Sequence, residues 1–230
     1  MYKHNRGYKR KFSAICSKES GMEGIGDGAE VPPELKKMLL GKLLGCDDGN
    51  DDSRIESDGN HIKFYSDVDR KSCFKLIQKI EEVTKEIKFV ALEYNIEKVP
   101  DIYLHINSNG GTVDDAFAVV DYIEKNEIPI TTICEGFVAS AGTLISCAGH
   151  KRQMLKNTNL LIHQLSSGFW GKMMEIQDSV ENMSETMNRI ISFYAKKTRM
   201  GKKQLKKLLK HDLEWNAQVC LEKGLVDEII

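Results

Sequence analysis

From residue 60 onward the apolar positions of this chain alternate between a strand-like and a helix-like period. His61-Ile62-Lys63-Phe64-Tyr65 alternates as a short strand does. Cys73, Leu76, Ile77, Ile80 and Val83 recur at helical spacing and predict an amphipathic helix over about 69–86. Asp101 to Asn107 predicts a strand whose alternation reads as imperfect, as in a strand covered on both faces. Asn109-Gly110-Gly111 breaks the chain, and Thr112 can cap a helix carrying Val113, Ala116, Phe117, Val120 and Ile123. Ile128 to Cys134 predicts the next strand, Gly136 to Ser140 a turn, and Ala141 to Ala148 a helix of small residues. Leu160 to Ile162 is a further strand. A long helix should start at about Lys172, with Met173, Ile176, Val180, Met183, Met187, Ile190 and Tyr194 along one stripe. Its methionines read as core filler. Lys202 to Lys210 predicts a lysine-rich helix with a solvated face. Asn216 caps Ala217 to Lys223, Gly224 ends that helix, and Leu225 to Ile230 closes with a strand. Strands alternating with helices indicate an α/β domain of repeated βαβ units.

Residues 1–58 differ from the rest. They hold Gly21, Gly24, Gly26 and Gly28, the Pro32-Pro33 pair and an acidic run from Asp47 to Asp58. The one short helical signal is Pro33 to Leu40. A weakly ordered extension over 1–58, of the kind a processed propeptide would be, and a folded domain over 59–230 are expected. A chain of 230 residues with 41% hydrophobic and 29% charged residues suits one sizeable soluble core. A net charge of −1 supplies no basic field, so nucleic acid is not an expected partner. No apolar run approaches the roughly 20 residues of a membrane span, so no membrane partner is expected either. The basic start, Met1 to Lys11, is followed by no apolar core and makes a poor secretory signal. Six scattered cysteines without a C-x-x-C pair suit free thiols in a reducing compartment, hence the cytoplasm. The histidines lack ligand spacing, and neither a metal nor another cofactor is expected.

The segment Gly136 to Gly142 sets Ser140 at a strand-to-helix turn between Ala139 and Ala141. Small neighbours let a substrate backbone approach, and the helix N-terminus directs partial positive charge there. A serine in such a place can equally be a plain helix cap. Ile162-His163-Gln164 follows, with a histidine at the end of an apolar strand. Neutral histidine is the usual general base near neutral pH, although position alone also suits a structural role. Asp212 could accept from the second ring nitrogen and fix the tautomer, and Glu214 competes for that role. Gly110-Gly111 marks a tight turn that can also offer a bare backbone N–H to an oxyanion. No phosphate-binding glycine pattern is present. Each part is weak alone; together, in this order and at element ends, they are the parts of a serine hydrolase.

Tyr103 to Val113, Gly136 to Gly142, Leu161-Ile162-His163-Gln164, Asp212, Asn216-Ala217 and Gly224 to Asp227 together resemble the ClpP family of serine peptidases, over residues 60–230. The resemblance implies an α/β, crotonase-like spiral of repeated ββα units with an additional handle helix. It implies Ser140 as nucleophile, His163 as base and Asp212 as its orienting partner. The backbone N–H groups of Gly111 and Ala141 would form the oxyanion hole. Gly110, Thr112, Val113, Leu165 and Ser166 would bind an unfolded polypeptide lying as an added strand between two segments. It further implies a homo-oligomer of stacked heptameric rings, joined through Gly168 to Ile176 and the long helix, and fed by an AAA+ unfoldase. Asn109 and Leu165 stand where the family usually has proline, and His211 where it commonly has an arginine that couples ring contacts to the site. A second reading keeps the fold but not the chemistry: a non-catalytic ring subunit shaping an assembly with an active paralogue. Acyl-CoA enzymes of the crotonase type lack this serine–histidine pairing, and serine–lysine peptidases need an anchor and a dedicated lysine base that are not seen.

Overall fold

The computed structural model describes residues 54–230. The helix expected at Pro33 to Leu40 and the rest of the N-terminal extension through residue 53 lie outside the described residues. Strands β1 (Arg54–Asp58) and β2 (His61–Tyr65) form an antiparallel hairpin, turned by Gly59 at φ 60°. β1 lies on the N-terminal side of the expected 58/59 boundary.

Helix α1 (Arg70–Glu93) starts at a reciprocal cap. Asp69 Oδ1 accepts from Ser72 N at 2.7 Å, and Asp69 N donates to Ser72 Oγ at 3.0 Å. Its buried Cys73, Leu76, Ile80 and Val83 are the helical period read from the sequence. Each large apolar side chain so buried contributes about 1.5–3 kcal/mol. The helix runs past the expected end at 86. β3 (Ile102–Ser108) lies parallel to β2, and α2 (Val113–Lys125) follows with Asp114 and Asp115 in its first turn, where the helix dipole favours them. Thr112 precedes it as the cap residue, but its side chain makes no capping bond.

β4 (Ile130–Ala139) is parallel to β3 and serves two partners. Thr131 to Cys134 pairs with β5 (Lys151–Met154), and Phe137 to Ala139 pairs with β6 (Asn159–Leu161). The change falls at Gly136, which takes φ 64° beside Asn107, whose Nδ2 donates to Glu135 O at 3.0 Å. The expected turn over Gly136 to Ser140 is therefore a swerve in a continuing strand, and the chain turns only at Ser140. α3 (Ala141–Ala148) is buried at every residue. The chain then runs through α4 (Met173–Lys197), α5 (Lys202–Leu208), β7 (Glu214–Asn216), α6 (Ala217–Lys223) and β8 (Glu228–Ile229). The sheet order is β1-β2-β3-β4-β5-β8, with β6 and β7 branching from β4.

Three further expectations are corrected. β3 alternates strictly between buried and half-buried, so only one of its faces is sealed. The other carries side chains that tolerate water. His61 Nδ1 and His105 Nε2 lie 2.9 Å apart, His105 Nδ1 lies 2.6 Å from Glu135 Oε1, and the Tyr65 hydroxyl donates to Glu135. In α4, only Ile190, Ile191 and Tyr194 are buried, whereas Met173 and Met174 are 83% and 63% exposed. The first half of the helix projects from the core, so its methionines fill nothing there. The closing strand is also shorter than expected, because Leu225 and Val226 are drawn into the core after Gly224 leaves α6 at φ 74°.

Candidate active site

Ser140 joins β4 to α3 with φ 52° and ψ −124°. A side chain held in such a region costs on the order of 1–3 kcal/mol and persists only where its surroundings fix it. Here both adjoining peptide groups are held. Ser140 N donates to Leu161 O at 2.8 Å, and Ser140 O accepts from Thr143 N at 3.0 Å and Thr143 Oγ1 at 2.6 Å.

Gly110 and Gly111 lie against this turn, with φ 96° and 144°. A Cβ on Gly110 would stand 2.6 Å from Ser140 Cβ, and one on Gly111 would stand 2.2 Å from Val68 O. Val68 N donates to Gly110 O at 2.7 Å, and Thr112 N donates to Val68 O at 2.7 Å. In extended backbone successive groups point to opposite sides, so the N–H and C=O of Gly111 face away from Val68. Among the described residues the Gly111 N–H has no acceptor. Ala141 is the first residue of α3, where an amide has no helical partner. Both amides expected to form the oxyanion hole thus border Ser140.

The pairing of Leu161 with Ala139 brings the chain after β6 out beside Ser140. His163 Nδ1 lies 3.0 Å from Asp212 Oδ1. Gln164 N donates to Leu209 O at 2.6 Å and so ties the histidine segment to the end of α5, from which Asp212 follows. Glu214, the competitor, instead accepts from Asn159 Nδ2 at 3.4 Å. The Asp212 side chain is 75% exposed and that of His163 24%. Ser140, His163, Gly111, Ala141, Val113, Leu165 and Ser166 share a cleft of about 50 Å³. Gly110 and Thr112 stand behind it, bonded to Val68. No hydrogen bond links Ser140 to His163 in this structure.

A roomier groove of about 470 Å³ lies between α1 and α2, but Glu81, Lys85, Lys88, Asp121 and Lys125 give it mixed charge and no nucleophile beside a base. The buried thiols are no alternative. Burial pushes Cys134 up to about 12 and Cys147 up to about 11, far from the thiolate a nucleophile needs. Among the described residues no cluster of three or more His, Cys, Asp or Glu side chains is placed to hold a metal ion. The sequence reading missed Thr143 and gave Tyr194 only a packing role. Tyr194 also lines the cleft, and its hydroxyl lies 2.6 Å from Thr143 Oγ1. The signal available was a polar hydroxyl at the end of an otherwise apolar stripe.

A mixed α/β domain with a serine at a strand-to-helix turn, beside a histidine–carboxylate pair, defines a class of protein with the parts of an acyl-transfer hydrolase. The Clp protease family model matches residues 56–230, and the chain belongs to the Clp protease family. That family is one of peptidases, of the serine type. A point mutant of ClpP1 from Listeria monocytogenes is similar in structure, with a TM-score of 0.65 over 75% of this chain and 91% of that one, at 23% identity. That likeness carries the fold, and the α/β architecture expected from the resemblance holds. Among the described residues no helix is long and apolar enough to cross a membrane.

Proposed function

We propose that this chain is a cytoplasmic serine endopeptidase that hydrolyses unfolded polypeptide through an acyl-enzyme on Ser140. The observation that carries the reading is the convergence on one cleft of a strained serine, two backbone donors and a histidine already engaged by a carboxylate. With Asp212 accepting from Nδ1–H, His163 presents Nε2 as the base. Ser140 Oγ attacks the peptide carbonyl and its proton passes to Nε2. The N–H groups of Gly111 and Ala141 receive the oxyanion. Collapse breaks the C–N bond, the leaving amine takes the proton from His163, and water repeats the sequence on the ester. Hydrogen bonds of this kind commonly close only with substrate bound, which accommodates the open Ser140–His163 contact. The outward-facing N–H and C=O of Gly111, with Val113 on one side and Leu165 and Ser166 on the other, suit an extended peptide added as a strand with little sequence preference.

Assembly into stacked heptameric rings fed by an AAA+ unfoldase belongs to the same proposal. What supports it is exposed apolar surface: Trp170 at 102%, Met173 at 83% and Met174 at 63% stand together at the start of α4. Continuous patches of that kind mark interaction sites. Residues 59–230 are proposed as the peptidase domain and 1–58 as an extension to it. The alternative of a non-catalytic ring subunit draws on the exposure of Asp212 and the open Ser140–His163 contact.

Fluorophosphonate labelling of the assembled protein, with peptide mapping, separates the two. An adduct on Ser140, and loss of peptide hydrolysis in Ser140→Ala, are the expected results. Full hydrolysis by Ser140→Ala would sink the peptidase assignment, and an unlabelled Ser140 in a large ring would favour the scaffold.

A further inference from the structure

We infer that Thr143 and Tyr194 are positioning residues: a chain of hydroxyls from α4 through Thr143 to the Ser140 carbonyl aims the Ala141 N–H at the oxyanion. The inference rests on the serine-peptidase reading of Ser140. The Ser140 carbonyl and the Ala141 N–H belong to one planar peptide group and point in opposite directions. Whatever fixes that carbonyl therefore fixes the donor. Thr143 fixes it twice, through its backbone N at 3.0 Å and its Oγ1 at 2.6 Å.

A threonine bonding back to a carbonyl three residues earlier is common in helices and would by itself mean little. Two further observations give it weight. The carbonyl belongs to a residue held at φ 52° outside the helix, where a firm hold is required. The threonine is in turn engaged by Tyr194 Oη at 2.6 Å, from a helix 51 residues away in sequence. Each hydroxyl has one proton. Thr143 gives its proton to Ser140 O, so Tyr194 donates to Thr143 Oγ1, and the chain has one direction. Thr143 is fully buried and Tyr194 is 2% exposed, so neither hydroxyl can turn to water instead. Burial also pushes the Tyr194 phenol well above its ordinary range, which keeps that proton in place. A buried hydroxyl deprived of its partner costs about 1–3 kcal/mol, so the chain resists rearrangement.

The test compares Thr143→Val, which keeps the shape and drops the hydroxyl, with Thr143→Ser, which keeps the hydroxyl, and with Tyr194→Phe. Peptide-hydrolysis kcat and KM, the rate of fluorophosphonate labelling, thermal unfolding and assembly size are measured for each and for the parent. Misdirecting one oxyanion donor is expected to lower kcat by about 10- to 100-fold in Thr143→Val with KM nearly unchanged. Thr143→Ser should recover kcat to within about threefold of the parent, and Tyr194→Phe should lose less than Thr143→Val. The double variant should be no slower than Thr143→Val, because both act through one chain. A Thr143→Val protein with the parent kcat would overturn the inference. So would failure of Thr143→Ser to recover, which would assign the effect to the methyl group, or losses that multiply in the double variant. If Thr143→Val does not fold, a parent-like kcat in Tyr194→Phe overturns it on its own. An inactive, unlabelled parent is a separate result: it removes the peptidase reading and this inference with it.

Discussion

Replacing Gly110 with alanine tests how tightly the glycine strand is set against the nucleophile. The new Cβ would lie 2.6 Å from Ser140 Cβ and 2.8 Å from Ala139 O, whereas ordinary contact begins at 3.4 Å. One of the two backbones must therefore yield by about 0.8 Å. Neither is free to do so cheaply, since Gly110 O is bonded to Val68 N and Ser140 N to Leu161 O. Alanine at φ 96° adds a conformational cost of about 1–2 kcal/mol. A shift approaching an ångström in a reacting group costs on the order of 100-fold in rate. That is about 2.7 kcal/mol on the barrier. Gly59→Ala is the control, because Gly59 has φ 60° but open space around it and stands far from the cleft. Gly110→Ala should lose more stability than Gly59→Ala in urea unfolding, because only it adds the clash, and only Gly110→Ala should lose turnover and labelling of Ser140. A Gly110→Ala protein that hydrolyses peptide as fast as Gly59→Ala would refute the claim that this contact places the serine.

Two more outcomes are expected. Arg152 donates through Nε and Nη2 to Asp227 at 3.0 and 2.5 Å, and through Nη1 to Lys197 O and Gly224 O, with its side chain 14% exposed. Burial alone would raise the Asp227 carboxyl, but Arg152 outweighs it and holds the group below its ordinary value of 3.8. Asp227→Asn should therefore cost about 1 kcal/mol at neutral pH, since the carboxylate is partly open to water, with the gap to the parent persisting down to the ordinary carboxylate range and closing only as pH falls through the lowered value. Urea titrations across that range decide it, and a gap that stays constant into strong acid would contradict the pairing. The thiols give the other outcome. Burial pushes Cys73, Cys134 and Cys220 up to about 12, so iodoacetamide at mildly alkaline pH should leave them and Cys147 unmodified in the native protein. Rapid alkylation of any of the four, located by peptide mapping, would show that the core opens.

What could be read from the sequence was whatever a residue's own neighbours decide. The periods of α1 and α2 were legible because their apolar residues face one buried side, whereas β3 was placed but its strict alternation was misread. β1, β5 and β7 were not, because Arg-Ile-Glu-Ser-Asp, Lys-Arg-Gln-Met and Glu-Trp-Asn carry no strand pattern; each is a strand because a neighbouring strand offers it a ladder. At the site, the small residues around Ser140 and the glycine pair declared themselves, since close backbone approach permits little else there. The choice of Asp212 over Glu214 did not. They lie two residues apart, and the bond from Gln164 to Leu209 helps decide which carboxylate meets His163. Thr143 and Tyr194 were invisible as a pair for the same reason: each reads as an ordinary helix residue until the fold brings their hydroxyls together.

That dependence on distant partners gathers at one end of α4. Tyr194 reaches the Ser140 peptide through Thr143. Met187 Sδ accepts from Leu165 N at 3.5 Å, on the far wall of the cleft. Arg189 pairs with Asp114 and lies 4.3 Å over the Phe117 ring, at the start of the helix that follows Gly111 to Val113. The serine turn, the segment after the histidine and the helix that follows the glycine strand are thus each held by side chains within two turns of a single helix. The other end of that helix carries exposed Met173 and Met174 and has no core beneath it. A helix is stiff along its axis, so a contact that seats the exposed end also bears on the buried end. On the reading proposed here, assembly through that surface and alignment of the cleft are consequences of the same element, and isolated subunits should be slower at Ser140 than assembled ones.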